Sequence, residues 1–200
     1  MEGQAMNYKH LLLATASGAV LLAGAVVAHD QDQDRDHGPR FRQNRFAAEL
    51  KPTEEVPALS SAASGSFKAT IDEAAQTITY EVSYSGLEGT VTQSHIHLGQ
   101  RKVSGGISVF LCGNAPAVPP ATVPQPPACP PSPATVTGVI TPASIIGPAA
   151  QGIAPSTATE NEFAELVAAI REGTTYANVH SSKFPAGEVR GQLQLVVGRR

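Results

Sequence analysis

Residues 77–85, TITYEVSYS, alternate without a break: Ile78, Tyr80, Val82 and Tyr84 fall on one side, Thr77, Thr79, Glu81 and Ser83 on the other. Period two with one polar side belongs to a strand that buries one face and wets the other, which a helix of period 3.6 cannot do. The pattern recurs at Phe46, Ala48 and Leu50, and again at Phe67, Ala69 and Ile71. The polar connection 72–76 is short enough to predict an antiparallel hairpin between the runs on either side of it. Further strands are expected at 91–98, 107–111, 135–140, 176–180 and 188–197. In the last of these, Val189, Leu193, Leu195 and Val197 should share a face opposite Glu188, Arg190, Gln192 and Gln194.

One helix interrupts the series. Thr159 and Glu162 fit a capping-box pair, Phe163, Leu166, Val167 and Ile170 follow at helical spacing, and Gly173 stands where the helix should stop. Its apolar stripe must lie on the sheet core. Residues 113–133 are too proline-rich for a central strand and read as an extended surface loop. Many short strands with a single short helix predict an all-β fold, an antiparallel β-sandwich; an α/β sheet would need helices alternating with the strands.

The ends of the chain bear on where it works. Residues 11–28 carry no charge, follow Lys9 and His10, and end in Val26, Val27 and Ala28, the grammar of a signal peptide cleaved after Ala28. No other segment is long and apolar enough to span a bilayer, so no membrane span is expected after cleavage. Residues 29–45 have almost nothing to bury and are expected to form a disordered polar leader. The alternating Asp30, Asp32, Asp34 and Asp36 lack the glycine and glutamate of a calcium loop. Residues 46–197 then form one domain. A net charge of −3, no basic stripe and no tryptophan argue against a nucleic-acid partner. Cys112 and Cys129 are the only cysteines, and in an exported chain they predict one disulfide stapling the base of the proline-rich loop.

The hydrolase, zincin and nucleotide signatures GxSxG, HExxH, P-loop and GxGxxG are absent. The histidines stand out instead. The predicted domain has three: His95 and His97 in SHIHLG, and His180 in YANVHS. On a strand His95 and His97 project together while Ile96 points away, and His180 shares its face with Asn178 and Tyr176. Three imidazoles from two strands would suit copper or zinc with a position left open for water or a ligand. Strand parity makes Asn178, Glu188 and Arg190 the polar candidates for an outer shell around such an ion.

The order SHIHLG, then FAELVAAIREG, then TTYANVHSSKFPAGEVRGQL closely resembles the CHRD domain, named after the chordin proteins and found in exported microbial proteins. The upstream FAAELKPTEEVP and TITYEVSYSGLEG fit its first part, so the resemblance runs from about Phe46 to Val197, with the proline-rich stretch as an insertion. It implies an extracellular or envelope protein with an immunoglobulin-like β-sandwich and no established enzymatic activity. Growth-factor antagonism does not carry over, because the cysteine-rich modules of chordin are missing from this chain.

Three readings stay open. One is a non-enzymatic secreted or periplasmic module with a binding or structural role, an unidentified extracellular or envelope partner, and histidines that lock strands together. The second is a copper- or zinc-binding protein using His95, His97 and His180. The third is a redox enzyme similar to copper-zinc superoxide dismutase, against which stands the lack of further histidines in the domain for a four-imidazole copper site and a bridging zinc cluster.

Overall fold

The computed structural model describes residues 44–157 and 161–197. The expected signal peptide, nearly all of the leader and the Thr159 half of the capping box lie outside them. The elements in chain order are β1 (Arg45–Leu50), β2 (Ser64–Asp72), β3 (Thr77–Ser85), β4 (Val91–Leu98), β5 (Gly106–Gly113), β6 (Ala134–Ile140), α1 (Phe163–Arg171), β7 (Thr175–Ser181), β8 (Val189–Gln192) and β9 (Gln194–Leu195). They form two antiparallel sheets, a five-stranded one in the order β6-β3-β2-β1-β9 and a four-stranded one in the order β5-β4-β7-β8. The fold is an all-β sandwich with one short helix.

The alternating runs are the reason for the layers. In β2 and β3 every second side chain is buried, with Phe67, Ala69 and Ile71 opposing Val82, Tyr80 and Ile78 across the hairpin. From the facing sheet Ile96, Val109, Leu111, Ala177, Val179 and Val189 complete the core. Tyr80 crosses between the layers and donates its hydroxyl to the carbonyl of Leu111, so the one polar atom it buries is satisfied. Phe163, Leu166, Val167 and Ile170 bury one stripe of α1 against this core. The first turn of α1 is held from outside it: Phe163 N–H donates to Asn161 Oδ1 and Glu162 N–H to Ser156 Oγ. Gly173 ends the helix in the left-handed region at φ 67°, and Thr174 N–H reaches back to the carbonyl of Ala169. No helix among the described residues is long and apolar enough to cross a membrane.

Two boundaries differ from expectation. Arg45, expected in the leader, opens β1 opposite Thr70. The run 188–197 is not one strand: β8 pairs with β7 in one sheet, β9 with β1 in the other, and the chain changes sheet at fully buried Leu193. Beyond that corner Leu195 and Val197 are exposed, so they do not share the buried face of Val189 and Leu193. The crossover needs β1 and β8 close together, and a side chain at Gly191 would meet the backbone carbonyl of Glu49. Cys112 and Cys129 form the expected disulfide at the base of the proline-rich loop, closing a loop with a sequence separation of 17.

Candidate metal centre

Period two places Ile96 in the apolar core and His95 and His97 on the opposite, outer face of the four-stranded sheet. The antiparallel register with β7 sets His95 opposite Asn178, His97 opposite Tyr176 and Gln93 opposite His180. Tyr176, Asn178 and His180 therefore share that outer face, while Ala177 and Val179 enter the core. β8 adds Arg190 opposite Asn178 and Gln192 opposite Tyr176. Along β5 the pairing slips by one residue on both sides of the His95–Ile96 pair, the kind of bulge that re-aims side chains next to a site.

A half-polar strand face would ordinarily be wet, but every residue of β7 and β8 is buried. Three loops cover the face. The loop 51–57 brings Glu55 against Asn178 and Arg190. The loop 99–105 accepts from Arg190 through the carbonyls of Gln100 and Val103, and from Gln192 through that of Gly99. The loop 182–187 passes over His180 through Pro185 and over Asn178 through Gly187, whose φ of 127° and contact with Glu55 leave no room for a side chain.

Under this cover one nitrogen from each of His95, His97 and His180 lies within 4.8 Å of the others. The rings are 0%, 7% and 5% exposed, respectively. A carbonyl can only accept, so His97 Nδ1–H donates to Gly105 O at 2.9 Å and His180 Nδ1–H to Pro185 O at 2.9 Å. This fixes both tautomers and leaves both Nε2 atoms as lone pairs. His95 Nδ1 stands 3.1 Å from His180 Nε2, while His95 Nε2 and His97 Nε2 are buried with no hydrogen-bond partner. Asn178 Oδ1, Gln192 Oε1 and Glu55 Oε1 are likewise buried and unpartnered on or against this face.

The electrostatics keep the rings neutral. Burial, then the neighbouring His180 and His97, pushes His95 well below the ordinary imidazole range. Burial lowers His97 to about 4, against the hydrogen bond to Gly105, which favours the cation; His180 and Arg190 lower it further. Burial also lowers His180, with the Pro185 carbonyl opposing. Tyr176 stacks flat on His97, with ring centroids 4.7 Å apart and planes 2° from parallel. The Arg190 guanidinium lies 3.4 Å above the Tyr176 ring. Burial raises Glu55 to about 7, although Arg190, Asn178 and its Val56 hydrogen bond favour the anion.

Of the residues singled out from sequence, His95, His97, His180, Asn178 and Arg190 stand on one face. Glu188 lies outside the cluster: its carboxylate accepts from Ser61 Oγ, Glu88 N–H and Ser181 Oγ, knotting three loops together. Sequence reasoning missed Glu55, Phe110, Gly105 and Pro185. Phe110 meets the His95 ring edge-on at 4.3 Å. The only sequence signal for Glu55 was its place between two prolines in KPTEEVP.

A model of the CHRD domain matches residues 46–193, most of the chain and all of the elements that build this face. The chain belongs to the CHRD-domain family. No curated protein and no solved structure matches it. Within the CHRD match, the histidine strands β4 and β7 lie in the four-stranded sheet, while the proline-rich segment is tied back by the disulfide and by the Asn114 side chain, which donates to the carbonyls of Val91 and Cys129.

Proposed function

We propose that this chain is an exported CHRD-domain module that holds one transition-metal ion, copper or zinc, on His95, His97 and His180, and that its role is binding rather than turnover. The observation that carries the reading is that one nitrogen from each of three buried imidazoles lies within 4.8 Å of the others, with backbone carbonyls pinning Nδ1–H of His97 and His180 so that both Nε2 atoms are lone pairs. A buried polar atom left unmade costs about 1–3 kcal/mol, and an ion that takes the unpartnered His97 Nε2 lone pair removes that cost. The second nitrogen of a metal-bound histidine characteristically donates to a carbonyl or carboxylate, as His97 and His180 do here. Two metal–nitrogen bonds of about 2.0–2.1 Å meeting between square and tetrahedral angles separate their nitrogens by roughly 3 Å, and His95 Nδ1 lies 3.1 Å from His180 Nε2. Neutral imidazole is the form that binds metal. Asn178 stands opposite His95 on the same face, Tyr176 stacks on the ring of His97 and Arg190 packs behind Tyr176. Export is supported by the charged, apolar and small-residue order of residues 1–28 and by a disulfide of the kind that persists outside the cytosol.

Metal analysis of protein secreted by its native host, followed by copper and zinc titration, tests the reading. One equivalent should bind, and His95→Ala, His97→Ala and His180→Ala should each lose most of the affinity, while His29→Ala and His37→Ala should not. Equal binding without His95 and His180 would refute the site. Intact mass of the secreted chain should start at His29; a retained Met1 would refute export by cleavage.

A further inference from the structure

The surroundings of the three imidazoles carry more information than the imidazoles themselves. All three donors are neutral, and among the described residues no carboxylate or thiolate joins the cluster. Both cysteines are in the disulfide. A positive charge stands behind the ligands: Arg190 is 2% exposed, stacks on Tyr176, which stacks on His97, and its field reaches the His97 ring. The guanidinium donates to the carbonyls of Gln100 and Val103, so it is held on this face. Glu55 is the carboxylate that faces the group, and Glu54, which also acts on Arg190, forms an ion pair with Arg101.

A divalent ion entering such a place adds two positive charges to a dry site that already holds one, without an anionic ligand to offset them. The desolvation cost of an ion rises steeply with its charge, and its repulsion from a fixed cation rises in proportion to it. Zinc and cupric ions also complete four or more positions with water or anions, whereas a closed-shell cuprous ion is content with three nitrogens. The enclosed rings offer three nitrogens and little exposed surface.

Resting on the metal-binding reading above, we infer that the ion selected by His95, His97 and His180 is monovalent copper, and that the buried Arg190 behind Tyr176 is the residue that discriminates against divalent ions. Arg190 here is a specificity-determining residue and touches no metal.

The test titrates the full secreted chain anaerobically with Cu⁺ in competition with bicinchoninate, and separately with Zn²⁺ and Cu²⁺, counting only binding that His180→Ala abolishes. One equivalent of Cu⁺ should bind at least about 100-fold more tightly than either divalent ion. Because Coulomb energy scales with the charge of the ion, Arg190→Met should strengthen Zn²⁺ by about the square of the factor by which it strengthens Cu⁺. Arg190→Lys, which keeps the charge and loses the flat stack, should leave the Cu⁺ to Zn²⁺ ratio within a few-fold of wild type. Circular dichroism confirms that each variant is folded, and if Arg190→Met is not, Arg190→Gln takes its place in the same comparison. Zn²⁺ or Cu²⁺ held as tightly as Cu⁺ would overturn the inference and leave the metal site standing. Equal shifts for both charges in the Arg190 variants would overturn the role of Arg190. Failure of every ion to show His180-dependent binding would overturn the metal site and, with it, the inference.

Discussion

The two sheets of the sandwich treat their outer faces differently. On the five-stranded sheet, Lys68, Thr70, Thr79 and Thr137 point away from the core and stay exposed, with Lys68 and Glu81 paired in solvent. On the four-stranded sheet the corresponding positions of β7 and β8 carry Tyr176, Asn178, His180, Arg190 and Gln192, all buried beneath the loops 51–57, 99–105 and 182–187. The first arrangement is what a half-buried strand does by default. The second is costly, since each buried polar group must find a partner or carry a penalty of about 1–3 kcal/mol. A fold that accepts that cost on one sheet and avoids it on the other has set that face apart, and the unpartnered polar atoms left there include ring nitrogens of His95 and His97.

The inner faces set the scale. Ile96→Ala, on the core side of the histidine strand and fully buried, should cost about 2–5 kcal/mol in urea unfolding; a cost near zero would mean that β4 is held by its outer face instead. Removing the disulfide by Cys112→Ser with Cys129→Ser should cost about 3 kcal/mol and leave the strands intact, because neither sheet depends on the loop it closes. Loss of β-structure by circular dichroism would contradict this. The outer faces should then separate. Gln192→Ala removes the donor to the carbonyls of Gly99 and Gly173 and should cost about 1–3 kcal/mol. Lys68→Ala, at 68% side-chain exposure in its ion pair, should cost less than about 1 kcal/mol. Equal costs would erase the contrast between the sheets.

Proton linkage sharpens the same contrast, with an effect of about 1 kcal/mol per pH unit that lies between these last two. His97 falls from 6.5 to about 4 on folding, so the unfolded chain binds more protons in that interval. The stability His97 contributes to the ion-free protein is present above about 6.5 and is lost as the pH falls toward about 4. Glu55 rises from 4.5 to about 7; its contribution is present below about 4.5 and is lost as the pH rises through about 7. Thermal melts of the ion-free protein against pH should therefore show an acid limb that His97→Gln flattens and a neutral limb that Glu55→Gln flattens. Unchanged limbs in both variants would place the buried polar face outside the pH response.

Much of the frame was legible in the residues. Period two located β2, β3 and β4 and the shared face of His95 and His97, helical spacing with Gly173 located α1, and two cysteines in a chain read as exported indicated the disulfide. These are local properties: the pleat alone decides which side of a strand a residue takes. The break of 188–197 at Leu193 was not legible, because alternation continues through the corner and only the position of β1 beside β8 makes the chain change sheets. Nor was Glu188's departure from the histidine cluster, which depends on Ser61 and Glu88 arriving from distant loops. Sequence by itself therefore determined which imidazoles face the same way. Only the tertiary structure decided that this face is dry, that Gly105 and Pro185 pin the rings and that Arg190 stands behind them, because desolvation is set by segments remote in sequence that fold over the sheet.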